Sequence, residues 1–173
     1  MEIATVKVKE LREQSGAGVM ECRNALLEAE GDVQKAFEIL KQRSLLKAEK
    51  KKTRTATQGL IEGYFHGGGR IGAMVEVNCE TDFAARSDVF RELAHNLVMQ
   101  VTAQDPKFIS KEEIPEGANV EPETVCLLLQ PYIKDPSKTV QDVITEAIAK
   151  VGENIKVSRF VRFELGERED DSP

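Results

Sequence analysis

The sequence predicts an α+β fold, in which a bundle of three helices is followed by a three-stranded antiparallel sheet packed with helices. Three patterns support this. Apolar residues recur at helical spacing before Arg43. They then alternate through Ile71, Ala73, Val75, Val77 and Cys79, and return to helical spacing from Phe90 to Val101 and from Val140 to Val151. A chain of 173 residues can hold one ordinary domain, or one plus a small appendage, and can bury a sizeable core.

Val8 and Leu11 mark a short first helix, broken by the turn-tolerant run Ser15-Gly16-Ala17-Gly18. Cys22, Ala25, Leu26 and Ala29 make one stripe of a second helix, which Gly31 ends. Asp32 can cap a third, with Val33, Ala36, Phe37 and Leu40 as its stripe. Residues 1–45 thus form a three-helix docking module similar to ubiquitin-associated domains. The basic run from Lys47 to Arg54 has little to bury and no interleaved aromatic residues, so residues 46–56 read as a solvated, flexible linker and not as a nucleic-acid patch.

Residues 57–166 form the α+β core. One strand runs from Gly59 to His66, the three glycines Gly67 to Gly69 turn the chain, and a second strand returns from Arg70 to Cys79. These glycines join two strands and no lysine follows, so they are not a phosphate loop. Ser87 and Asp88 begin the long helix. Pro106, Pro115, Pro122, Pro131 and Pro136 then mark loops around the short apolar segment Val125 to Leu129. Thr139 and Asp142 make a capping-box variant for the helix that Gly152 ends. The last strand is expected to carry Ile155, Val157, Val161, Phe163 and Leu165 on one face and Phe160 on the other, before a frayed acidic tail at residues 167–173. Helices cover only one face of such a sheet. The face bearing Met74 and Phe160 is therefore expected to meet a second copy, giving a homodimer.

A net charge of −6 argues against a general nucleic-acid binder. Cys22, Cys79 and Cys126 are odd in number, widely separated and set among apolar neighbours, as reduced core thiols are. The start of the chain lacks a signal-peptide pattern and no apolar run reaches membrane length, so a cytoplasmic protein without membrane contact is expected. His66 and His95 have no evident nucleophile beside them, and no metal or other cofactor is expected.

The strand ending at Cys79 runs into helix at Thr81-Asp82-Phe83 without glycine or proline. Two readings are open. Asp82 can help cap the helix while Phe83 enters the core, or the ring can stand exposed beside a carboxylate as an anchor for a partner's pocket. The local pattern by itself favours the first.

Taken together, Leu11-Arg12-Glu13, Gly16 to Cys22, Ala25-Leu26, Glu28-Ala29, Gly31-Asp32, the basic stretch, Val75 to Phe83 and Gly152-Glu153-Asn154-Ile155 resemble the elongation factor Ts family from about Ile3 to Phe163. Val19 and Ala84 depart from residues more usual in that family. The resemblance implies release of GDP from elongation factor Tu without covalent chemistry, by a short form with one core subdomain. It implies that Asp82 and Phe83, with Thr81 setting the turn, contact the GTPase domain of elongation factor Tu near its magnesium site. It also implies a second contact at Leu11, Arg12, Val19 and Met20. The runner-up reading is a docking module fused to a dimerising sheet, which would leave bound nucleotide unaffected.

Overall fold

A computed structural model describes residues 3–167. Helices α1 (Thr5–Ser15), α2 (Val19–Glu28) and α3 (Val33–Lys51) come first. They enclose a small core of Leu11, Cys22, Ala25, Leu26, Ala29, Ala36 and Leu40. The expected stripes face this core, with Val8, Val33 and Phe37 only partly buried at its edge. Asp32 caps α3, its Oδ1 accepting the N–H of Lys35 at 3.0 Å.

The stretch expected to be a flexible linker is helical as far as Lys51. Residues 45–51, Leu-Leu-Lys-Ala-Glu-Lys-Lys, are strong helix formers without glycine or proline, and no local signal stops α3 at Arg43. Contacts to either side hold this extension. Arg43 pairs with Glu28, Lys47 with Glu21, and Ala48 packs on the core of the rest of the chain. Most of its side chains are solvated, as expected, but the backbone is not a loose tether. At 1.5 Å per residue the helix spans about 28 Å.

The main sheet has strand order β1 (Gln58–His66), β2 (Ile71–Cys79) and β5 (Ile155–Glu164), antiparallel throughout. Between β2 and β5 lie α4 (Asp82–Arg86), α5 (Asp88–Gln104), α6 (Pro122–Val125), the short strands β3 (Pro131–Tyr132) and β4 (Asp135–Thr139), and α7 (Val140–Val151). Helices α5 and α7 cover one face of the sheet. There Val75 and Val77 meet Phe90, Leu97, Val98, Val101, Ile144 and Ile148. The β3–β4 ribbon escaped sequence reading because two prolines sit within it. It is held by side chains as well as by its own pairing: fully buried Gln100 donates from Nε2 to the Pro131 carbonyl at 3.1 Å and accepts the Ile133 N–H at 2.9 Å.

The last strand departs from simple alternation. Glu76 pairs with Arg159 while Val77 pairs with Val157, so Ser158 is an extra residue in β5, a β-bulge that reverses the side-chain parity. Ile155 and Val157 face the core before the bulge; Phe160 and Arg162 face it afterwards. Phe160 therefore packs against the core and does not share the uncovered face with Met74, contrary to expectation. Val161 and Phe163 take the outer side instead, together with Ile61, Phe65 and Met74. Period-two reading cannot anticipate an inserted residue.

Gly59 is held by a close approach. Its φ is +149°, and a Cβ there would lie 2.0 Å from the carbonyl oxygen of Val77 on the paired strand. Gly59→Ala is expected to cost about 1–3 kcal/mol or more, read as a lowered urea midpoint. An unchanged midpoint would show that the two strands separate without penalty.

Candidate functional site

The corner between β2 and α4 is built from small residues turned inward and large ones turned outward. Thr81, in extended conformation, caps α4: its Oγ1 accepts the N–H of Ala84 at 3.3 Å. Thr81, not Asp82, is thus the cap. Ala84 and Ala85 are buried against the core, and this fixes which side of a five-residue helix can face inward. Residues 82, 83 and 86 are left on the other side. Asp82 pairs with Arg86 one turn on, at 2.8 Å. The Phe83 ring is 81% exposed. The reading that puts Phe83 in the core is thus overturned: the ring stands in solvent.

The corner is rigid from behind. Cys79, the last residue of β2, is buried, and its Sγ approaches the Thr81 carbonyl at 3.1 Å. Burial pushes its thiol above the ordinary cysteine range, with the negative charge of Glu153 adding to the effect, so the group stays protonated and inert. A separate short cap follows at once: Ser87 Oγ accepts the N–H of Phe90, starting α5 and placing the Phe90 ring in the core. Two phenylalanines seven residues apart have opposite fates.

The other residues singled out from sequence divide. Arg12, Val19 and Met20 are exposed on the first bundle, Met20 by 61%. Leu11 is fully buried in the bundle core and cannot be a contact while that core is intact, because α1 has only this one inward position that is completely enclosed. Met74 lies on the outer sheet face, where Phe65 is 75% and Phe163 66% exposed. Glu76 edges this apolar face, its carboxylate held below the usual range by the Arg159 guanidinium at 2.7 Å. His95 Nδ1 lies 3.0 Å from Glu62 and its ring meets Tyr64 edge-on, while His66 neighbours Tyr64. Glu153, which lies in the family-like run Gly152 to Ile155 but has no site role by sequence, reaches this corner with its carboxylate from the end of α7; no periodicity marks a contact between residues so far apart in the chain.

Comparison with known proteins agrees with the architecture. The family model described as elongation factor TS matches residues 9–123 and 119–167. The elongation factor Ts of Caldanaerobacter subterraneus subsp. tengcongensis is 49% identical, the alignment covering 95% of this chain and 98% of that protein. Those of Carboxydothermus hydrogenoformans and Heliobacterium modesticaldum are 48% and 46% identical, over 95% and 98% of this chain and 90% and 94% of theirs. A family model matched over nearly the whole chain and relatives this similar over nearly their full length show that this chain belongs to the elongation factor Ts family of translation elongation factors.

Proposed function

We propose that this chain is a guanine-nucleotide exchange factor for elongation factor Tu, releasing GDP so that GTP can bind, and that Thr81-Asp82-Phe83 performs the exchange step. The observation that carries this reading is the Phe83 ring, held out in solvent by a helix whose opposite side is anchored on the core. An exposed aromatic side chain on a fixed backbone loses little entropy when it enters a partner's pocket. In the complex the ring wedges between helices of the GTPase domain near the magnesium and phosphate site, with Asp82 as its polar guide. Displacing the groups that hold phosphate and magnesium removes the contacts that stabilise their charge, and GDP leaves faster. Factor and nucleotide must weaken each other's binding by the same ratio, and no bond is made or broken. Arg12, Val19 and Met20 give a second contact on the same domain. This is work for the cytoplasm, with neither membrane nor nucleic acid as partner.

The outer sheet face supplies a second proposal, a two-fold symmetric homodimer. Ile61, Phe65, Met74, Val161, Phe163 and Leu165 are all exposed there on one side of the sheet. A second copy, placed sheet to sheet, covers them isologously and gives a sandwich.

Phe83→Ala is expected to reduce the rate of GDP release from elongation factor Tu about tenfold or more, as loss of a central anchor worth about 2 kcal/mol does. Its melting temperature should stay close to that of the parent, since an exposed ring adds little to the free protein. Fluorescent GDP release and thermal melting on one preparation decide this; a large fall in melting temperature, or full activity, rejects the assignment. For the dimer, sedimentation equilibrium at micromolar concentration should give twice the 19.2 kDa chain mass, and Phe163→Asp should return it to the single mass. A monomer throughout overturns the dimer.

A further inference from the structure

Helix α7 ends at Gly152, whose φ of 83° turns the chain sharply and aims the next residue at the β2–α4 corner. The Glu153 carboxylate there accepts three hydrogen bonds. Its Oε2 takes the backbone N–H of Glu80 at 3.1 Å and of Thr81 at 2.9 Å, and its Oε1 takes the Thr81 hydroxyl at 2.6 Å. The exchange is reciprocal, because Glu80 Oε1 accepts the backbone N–H of Asn154 at 2.7 Å. Buried Asn154 in turn donates from Nδ2 to the carbonyls of Arg54 at 2.8 Å and Lys52 at 3.4 Å, just beyond α3.

Satisfying buried polar groups does not require this arrangement. Thr81 is exposed, and water could accept its N–H and hydroxyl hydrogen. What the carboxylate adds is direction. With the Thr81 hydroxyl proton committed to Glu153, a lone pair of Oγ1 is left facing the N–H of Ala84, the bond that starts α4. Charge-assisted hydrogen bonds to two consecutive backbone N–H groups fix the peptide plane entering that helix. Phe83 is two residues further on.

We infer that Glu153 is a positioning residue for Phe83: by clamping Thr81 it sets the direction in which α4 presents the ring, and Asn154 ties the same corner to the end of α3. The inference rests on the exchange reading of Phe83. Glu153 touches neither nucleotide nor reacting atoms in this role; it acts through Thr81.

The test compares GDP release from elongation factor Tu with the wild-type chain, Glu153→Ala, Glu153→Gln, Phe83→Ala and the Phe83→Ala/Glu153→Ala double variant. Amide hydrogen exchange at Glu80, Thr81 and Ala84 is followed in the factor alone. Glu153→Ala is expected to slow release by about tenfold and by no more than Phe83→Ala does, because it acts through that ring. Glu153→Gln should recover most of it, since its carbonyl oxygen still accepts the two backbone N–H groups and its amide can donate to Thr81. In the Phe83→Ala background Glu153→Ala should add no more than about twofold, whereas a merely structural role would add its full loss again. The three amides should lose protection in Glu153→Ala while β1 and β2 keep theirs. Equal losses in both backgrounds, or full activity of Glu153→Ala, overturns the inference. Should the wild-type chain itself fail to accelerate GDP release, the exchange reading falls separately, and unchanged protection at Glu80 and Thr81 in Glu153→Ala then overturns the clamp.

Discussion

A three-stranded sheet has two faces, and the described residues supply helices for one. That imbalance organises the rest of the molecule. Val75 and Val77 turn toward α5 and α7, which places the end of β2 at the rim of the covered side, where the chain must leave the sheet and enter helix. The residues at that exit are small where they face the core, Ala84 and Ala85, and large where they do not, Phe83. The same one-sided cover leaves an apolar outer face running from Ile61 across Met74 to Phe163. Exposed apolar area of this kind marks a contact surface more often than a tolerated defect.

In the proposed exchange role the protein needs no reactive group. The thiol of Cys79, at the end of β2, is buried and kept protonated, and the two histidines are engaged with Tyr64 and Glu62 of β1. What the corner offers is shape and a fixed direction. A protein that shifts another's binding equilibrium can do so only through contacts that differ between two states of that partner. Rigidity on the factor's side lets more of the contact energy act on the partner.

Much of the fold was legible from the sequence. The alternation in β2, the stripes of α2, α5 and α7, and the Thr139–Asp142 capping box are local patterns, and local forces decide them. The site was less legible. Whether Phe83 is buried depends on how Ala84 and Ala85 seat α4, and that is a tertiary fact. The extension of α3 was missed because a run of lysines looks solvated whether or not it is helical, and the side chains that hold it belong to α2 and the core. The parity of β5 turned on one inserted residue, Ser158. Leu11 fell on the right element, but a helix stripe says only that a residue is apolar, not whether it faces its own core or a partner. The resemblance to a family supplied the proposed role of Phe83; the exposure of its ring came from the structure.

The continuity of α3 has a geometric consequence. An α-helix advances 1.5 Å and turns about 100° for each residue, so two surfaces joined by one are locked in angular phase. Adding or removing a single residue between Arg43 and Lys51 would swing Val19 and Met20 by about 100°, a little over a quarter turn, around the helix axis relative to Phe83, while shifting them only about 1.5 Å along it. A coil of the same length would absorb such a change. The spacing of the two surfaces thus behaves like a gear with 3.6 teeth per revolution, tolerant of substitution along this segment and intolerant of insertion, and in the proposed complex both surfaces stay aimed at one partner only if that count is kept.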